Sequence, residues 1–474
     1  MNSQPPIRFG TDGWRAVIAE EFTFANLERV AQAFADHLAA NRSESSASQL
    51  VIVGYDCRFL SERFAQRVAE VLVANGNRIA IFDGPQPTPV ISWVVKDLGA
   101  AGGVVITASH NPAEFNGFKI KAPWGGSAAP ETTSAVERLV DKNPPRRVGI
   151  HTNENEMLAT AIGTYRNQVS SYIDLDRLRH SRQKVVVDSM HGSGGRWIES
   201  FLSGGELQVE TIRATRDPLF GGVNPEPIDR NLGALKQRVV EGNALVGVAT
   251  DGDADRVGAV NERGMTMTMH DVVPLILLHL VRVRGMKGSV VGTFSQSVLL
   301  RRIASAYHLP FYETPIGFKY VADLMLKEDV LIGAEESGGI GVKGHIPERD
   351  GILNSLLFLE TIVIAEKTPS EMLSDLHREF GEFYFGRGDL HVEVEQGQRL
   401  IARLNADPPS DIAGYPIATV KPLDGIKLTL EDESWLLFRQ SGTEPVFRIY
   451  AEATSPEKTQ ALLSTAEELV RSAA

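Results

Sequence analysis

The stretch TASHNPAEFNGFK, residues 107–119, follows the apolar run GGVVI and sets Ser109 at the end of an expected buried strand. A serine so placed can act as a nucleophile when its surroundings activate the hydroxyl. The context is T-A-S-H-N, not the G-x-S-x-G of a serine hydrolase. His110 is adjacent, and adjacent side chains of an extended segment point to opposite sides, so it is a poor base for Ser109. The bland alternative is a turn or helix-capping serine. A second stretch, ATDGDADRVG at 249–258, alternates Asp251, Asp253 and Asp255. In an extended segment these carboxylates share one side and repel unless a cation sits among them. Oxygen ligands select Mg²⁺, Mn²⁺ or Ca²⁺ over zinc, and Mg²⁺ is favoured here. The rivals are a solvated acidic turn and a calcium EF-hand. Glu262 falls at the twelfth EF-hand position, but Arg256 stands where that loop needs glycine and the flanks are strand-like.

Two further stretches carry weaker signals. In GAEESGG, 333–339, Glu335 and Ser337 share one side of an extended segment, and a carboxylate beside a hydroxyl suits the hydroxyls of a polyol. A capped helix start is the structural alternative. In RQSGTEPVFRIY, 439–450, Arg439, Ser441, Gly442 and Thr443 offer a guanidinium, two hydroxyls and a flexible backbone, with Arg448 as a second cation. That is the chemistry of an anion nest for phosphate, set against an ordinary hairpin turn. No G-x-x-x-x-G-K-[ST] occurs. HGSGGR, 191–196, lacks the G-x-G-x-x-G spacing and reads as a tight strand-to-helix turn.

The elements that must position these residues alternate. Leu27, Val30, Phe34 and Leu38 recur at helical spacing. LVIVG, RIAIF and GGVVI read as strands, with helices expected from Ser61 to Ala74 and from about Pro89. This rhythm predicts a mostly parallel sheet covered by helices. It restarts at KVVVDS and again at GSVVGTF. Close-set strands then lead to a final helix from about Pro456, an α+β pattern. The expected fold class is α/β: three similar mixed-sheet α/β domains plus a C-terminal α+β domain around a central cleft. The expected boundaries are 1–165, 166–266, 267–387 and 388–474, four units for a 474-residue chain too long for one core. A net charge of −12 argues against broad nucleic-acid binding while allowing a local basic pocket. The single cysteine, Cys57, excludes an intrachain disulfide and reads as a small buried hydrophobe. MNSQPPIRFG lacks signal-peptide character, and VVPLILLHLV is far short of a span and contains Pro274. A cytoplasmic protein with no membrane or nucleic-acid partner is the expectation.

Together, one per domain and in this order, these motifs resemble the α-D-phosphohexomutase superfamily, which includes phosphoglucomutases, phosphomannomutases and phosphoglucosamine mutases. FGTDGWRA, TASHNP, D-G-D-A-D-R, E-x-S and R-x-S-G-T all match, and the resemblance spans essentially the whole chain. It implies that Ser109 carries a phosphoryl group, with Asp251, Asp253, Asp255 and an oxygen on Ser109 around Mg²⁺. Arg256 is similar to the arginine beside the metal loop. Glu335 and Ser337 match the sugar-binding loop; Arg439, Ser441, Gly442 and Thr443 match the phosphate loop, with Arg448 in support. Gly317 and Lys319 lie in ETPIGFK, which is similar to the E-T-P-T-G-W-K segment of phosphoglucomutases. Arg15, His110, Lys119 and Lys319 are the acid/base candidates. Lys119 leads them, because a buried cationic site could lower its pKa.

The implied reaction interconverts hexose 1-phosphate and hexose 6-phosphate through a hexose 1,6-bisphosphate, which also serves as activator. Glucose is the expected sugar, with mannose as its near equivalent. Gly339 replaces a histidine common at the end of the sugar loop, a departure that speaks against glucosamine phosphate. The runner-up is a glucose-1,6-bisphosphate synthase recharged by a bisphosphorylated donor. A non-catalytic sugar-phosphate-binding protein and a calcium-binding interaction protein are the other classes. The expected partners are hexose phosphates, in a monomer or small homo-oligomer.

Overall fold

The structure, a computed structural model, describes residues 7–10, 12–41, 49–150, 154–440 and 446–472. The chain divides into two units, residues 1–267 with 338–369, and residues 268–337 with 370–474.

The first unit holds two sheets. One comprises β1 (Trp14–Val17), β2 (Leu50–Tyr55), β3 (Arg78–Ile81), β4 (Gly102–Ile106) and β5 (Phe115–Lys121), in the order β1-β5-β4-β2-β3. β2 runs parallel to β3 and β4; β5 is antiparallel to both β4 and β1. β2 and β4 are buried along their whole length, which is why they read as unbroken apolar runs. The helix Phe24–Ala40 turns Leu27, Val30 and Phe34 into the core, as their spacing predicts. Thr23 caps it by accepting from the Asn26 amide. The other sheet comprises β6 (Lys184–Asp188), β7 (Gln208–Ile212), β8 (Val246–Thr250), β9 (Val257–Asn261) and β10 (Thr266–Met267), in the order β10-β9-β8-β6-β7. β6 is parallel to β7 and β8, while β9 is antiparallel to β8 and β10. Between β6 and the helix Trp197–Leu202, HGSGGR forms the tight turn expected of it, with the Ser193 amide donating to the Gly252 carbonyl at 3.0 Å.

In the second unit β11 (Ser289–Thr293) lies between β12 (Phe311–Thr314) and β13 (Val330–Ala334), all parallel. The chain then returns to the first unit. β14 (Ile340–Val342) and the helix Gly351–Ala365 belong there, and that helix packs on β8 and β9. A linear reading of the sequence has no means of seeing this return.

The last domain is the expected α+β unit. Its antiparallel sheet runs β15 (Tyr384–His391), β20 (Val446–Ala453), β19 (Trp435–Gln440), β18 (Ile426–Leu430), β17 (Tyr415–Lys421) and β16 (Asp411–Ile412). The helices Val394–Ala406 and Pro456–Ser472 complete it. The apolar run at 272–281 is a buried helix, Met269–Leu278, leading into a short wider turn. Among the described residues no helix is long and apolar enough to cross a membrane.

Candidate active site

Ser109 sits just beyond the C-terminal end of β4, and the acidic motif just beyond β8. Both strands end in the first unit, where the two loops meet. Ser109 is 1% exposed, and its hydroxyl donates to Asp251 Oδ2 at 2.9 Å. Gly252 allows the approach: a Cβ there would lie 2.5 Å from the Ser109 carbonyl oxygen.

The three aspartates converge, but not through the pleat of an extended strand. A tight turn gathers them. Ala254 has φ 59°, and Asp251 Oδ1 accepts from the amides of Asp255 (3.0 Å) and Arg256 (3.1 Å). All three side chains are fully buried, with one oxygen of each within 4.8 Å of the others. Asp253 Oδ2 accepts from Thr88 Oγ1 (2.7 Å) and Lys119 Nζ (3.2 Å). Asp255 Oδ2 faces Lys119 (3.3 Å) and Arg349 (2.8 Å). The second oxygens, Asp253 Oδ1 and Asp255 Oδ1, are buried and accept no hydrogen bond among the described residues. Burial, then the charges of Asp253 and Asp255, push Asp251 well above the usual carboxylate range. Buried, mutually repelling carboxylates with unused oxygens fit a hard divalent cation such as Mg²⁺.

Two expectations are corrected here. His110 does not point away from Ser109: its Nδ1 lies 3.4 Å from Ser109 Oγ. Alternation fails because Ser109 is not extended but left-handed, with φ 51°. Burial, then Arg256 and Arg15, lower the His110 pKa well below the usual histidine value, so the ring is neutral at neutral pH. Lys119 moves the other way. Burial alone would lower it, but Asp12 (2.8 Å), Asp253 and Asp255 outweigh that and raise it. Lys119 is a buried charge compensator, not a lysine poised as a base. Arg15 donates from Nη1 to Asn111 Oδ1 at 2.8 Å, next to the serine loop. Arg256 Nε is 3.9 Å from Asp255 Oδ1. Cys57 is buried, and burial first, then Asp56, push its thiol up to about 12, matching the inert reading.

Sequence reasoning missed Glu348, Arg349 and Asp350. Glu348 pairs with Lys121 at 2.8 Å, and Arg349 bridges Asp12 (2.6 Å) and Asp255 (2.8 Å). Asp350 caps the helix Gly351–Ala365. The available signal was the charged run PERD directly before a glycine-led apolar helix.

In the second unit, Glu335 and Ser337 follow β13 on a turn rather than an extended segment; Glu335 is buried and Ser337 half-buried. Between them, Glu336 accepts from Ser295 Oγ at 2.6 Å. Gly317, at φ 133°, precedes the helix Phe318–Lys327, and Lys319 Nζ lies 5.2 Å from the Tyr320 ring centre. Arg439 and Arg448 are direct cross-strand partners on β19 and β20. Arg439 Nε is 3.1 Å from Asp424, and Arg448 Nε is 3.7 Å from Asp389. Register adds a residue the sequence reading lacked. Arg387 pairs with Tyr450, and Asp389 with Arg448, so Arg387, Arg448 and Arg439 share one face. Ser441, Gly442 and Thr443 lie outside the described residues.

A buried serine hydroxyl touching an acidic triad that could hold a metal is an arrangement suited to metal-assisted phosphoryl transfer. Comparison with known proteins gives the family. Residues 6–147, 163–264 and 270–380 match the phosphoglucomutase/phosphomannomutase alpha/beta/alpha domains I, II and III, and residues 393–469 match the C-terminal domain. A phosphoglucomutase/phosphomannomutase of Thermococcus kodakarensis is 31% identical over 98% of each chain. A phosphoglucosamine/phosphogalactosamine mutase of Sulfurisphaera tokodaii is 28% identical over 98% of each. A crystal structure from Thermus thermophilus, assigned as a phosphomannomutase, superposes with a TM-score of 0.87 at 38% identity, covering 99% of this chain and 100% of that one. The chain belongs to the phosphoglucomutase/phosphomannomutase family of the α-D-phosphohexomutase superfamily, and it is an enzyme of the phosphotransferase, mutase type.

Proposed function

We propose that the protein interconverts hexose 1-phosphate and hexose 6-phosphate, with glucose preferred and mannose next, through phosphorylated Ser109 and a hexose 1,6-bisphosphate. The observation that carries this is the 2.9 Å contact of the Ser109 hydroxyl with Asp251 inside a fully buried triad. Asp251, Asp253 and Asp255 would hold Mg²⁺, which when bound would neutralise charge on the phosphoryl oxygens. In the first half-reaction the Ser109 Oγ–P bond breaks and a bond from phosphorus to the free sugar hydroxyl forms. His110, neutral and 3.4 Å from Oγ, takes the proton of the attacking hydroxyl and returns a proton to Oγ, so the transfer is proton-neutral. The second half-reaction reverses this with the other phosphate. By the family resemblance, Arg439 and Arg448 would meet the phosphate that is not reacting, and Glu335 and Ser337 the sugar hydroxyls.

The ETPIGFK segment supports glucose, and Gly339 speaks against glucosamine phosphate. Relatives named for glucosamine phosphate make that sugar the competitor. A ³¹P NMR time course decides. The protein, Mg²⁺ and a trace of glucose 1,6-bisphosphate are mixed in turn with glucose, mannose and glucosamine 1-phosphates. Fast 6-phosphate formation from glucose 1-phosphate is expected. Faster conversion of the amino sugar would overturn the sugar assignment. Net accumulation of bisphosphate at the expense of added fructose 1,6-bisphosphate would replace the mutase with a bisphosphate synthase.

A further inference from the structure

Ser109 is held in a left-handed backbone conformation that a serine rarely adopts, so something must over-determine it. The surroundings show what. Arg58 is fully buried, and its four terminal N–H groups reach four carbonyls of one loop. Nη2 donates to Ser109 O (2.6 Å) and Asn111 O (2.5 Å); Nη1 donates to Pro112 O (2.7 Å) and Phe115 O (3.0 Å). The remaining donor, Nε, lies 3.2 Å from Asp56 Oδ2. A planar guanidinium can meet four such acceptors at once with its terminal N–H groups; an ammonium with three donors cannot.

The other side of the same residue is held as firmly. The Ser109 amide donates to Thr107 Oγ1 at 2.8 Å, and that hydroxyl donates onward to Asp56 Oδ2 at 2.6 Å. Thr107 therefore has a fixed polarity, because a carboxylate can only accept. Asp56 is itself pinned by the Arg58 amide (2.9 Å) and Ser61 Oγ (2.9 Å). One buried carboxylate thus braces both grips, on the amide and on the carbonyl of Ser109. Arg58 also adds to the field at His110, behind burial, Arg256 and Arg15, whereas Thr107 carries no charge, so its variants read placement alone.

We propose that Arg58 and Thr107, both braced on Asp56, are positioning residues of the reaction: they clamp Ser109 from its amide and carbonyl sides and so aim its hydroxyl at Asp251. The proposal rests on Ser109 being the phosphoryl carrier. A nucleophile displaced by about 1 Å can lose on the order of a hundredfold in rate, so the clamp acts on kcat and leaves substrate binding alone.

The test uses the full chain with Thr107→Val, Thr107→Ser and Arg58→Lys. Ser109 phosphate is read by intact mass after incubation with Mg²⁺ and glucose 1,6-bisphosphate, and turnover is read on glucose 1-phosphate. Thr107→Val keeps the shape but loses both hydrogen bonds. It is expected to stay folded, to lose roughly tenfold or more in kcat with KM within about twofold, and to take up Ser109 phosphate correspondingly slowly. Thr107→Ser, which keeps the hydroxyl, is expected to recover most of kcat. Arg58→Lys should behave like Thr107→Val; if it does not fold, the Thr107 pair decides alone. A folded Thr107→Val with near-wild-type kcat, or a Thr107→Ser no better than the valine variant, overturns the clamp. Wild-type protein that never phosphorylates Ser109 overturns the carrier reading and the clamp with it, and that outcome is visible before any variant is made.

Discussion

A serine hydroxyl buried beside three carboxylates raises the question of where its proton goes, and two side chains compete to answer it. Lys119 touches three carboxylates and is held protonated by them, so it has no lone pair to offer. His110 is neutral because burial and the nearby Arg256 and Arg15 disfavour the imidazolium. Its depressed pKa places the acid limb of the rate profile below the ordinary histidine value of 6.5. Between about pH 6.5 and 8 the wild-type kcat/KM should therefore be flat with respect to this group. His110→Gln should lower kcat by roughly a hundredfold or more, without an equal rise in KM. Steady-state rates across that pH range check both statements. A glutamine variant that turns over near the wild-type rate would remove His110 from the proton path. The residue types at this site are legible in the sequence; their geometry is not. TASHNP and DGDADR are visible as chemistry, yet alternation predicts both to be extended. Ser109 and Ala254 instead adopt left-handed conformations, which are exceptions for residues with a Cβ and leave no mark in composition.

Elements fared unevenly for a physical reason. Apolar periodicity marks the helix Phe24–Ala40 and the strands β2 and β4, because burial of one stripe or of both faces is written locally. Contacts made across the chain are not. Glu348 meets Lys121 across 227 residues of sequence, and Arg387 joins Arg439 and Arg448 only through strand register. The PERDG turn is the clearest case. Asp350 accepts from the amides of Ile352 (3.0 Å) and Leu353 (2.9 Å), from Tyr165 Oη (2.9 Å), and lies 2.9 Å from His345 Nε2. It caps the helix on β8 and β9 and satisfies a fully buried tyrosine at once. Asp350→Ala should cost about 1 kcal/mol as a lost cap and ~1–3 kcal/mol as an unpaired buried hydroxyl. Arg349, next in the chain, bridges Asp12 and Asp255, so activity should fall as well. Scanning calorimetry beside an activity assay measures both. An alanine variant with an unchanged melting midpoint would show that the turn is held by something else.

At the scale of the whole molecule, two buried carboxylates, Glu452 in the second unit and Asp251 in the first, sit under opposite constraints, and pH and metal should separate them. In the second unit Glu452 is buried, which opposes its charge, yet His270, the Ser297 hydroxyl and the Val298 amide keep it below the usual glutamate value. A depressed carboxylate contributes stability that is present above its unfolded value of about 4.5 and is lost as pH falls through the folded value. In the first unit Asp251 has the reverse sign. Its folded value is raised, so its contribution is present at low pH and is lost as pH rises through that value. Ionising Asp251 therefore costs the first unit stability, and a divalent cation binding only the folded triad offsets that cost. Ligand at a hundredfold its Kd stabilises the folded state by about 2.7 kcal/mol. Calorimetric scans with Mg²⁺ and with EDTA should then differ at pH 8, the Mg²⁺ scan showing a higher transition for the first unit. At pH 5 the shift should shrink, because protons compete for the same oxygens. Asp253→Asn, which removes a carboxylate from the triad without removing its bulk, should lose most of the pH 8 shift. A Mg²⁺ effect of equal size in that variant would mean that the stabilising ion binds elsewhere on the chain.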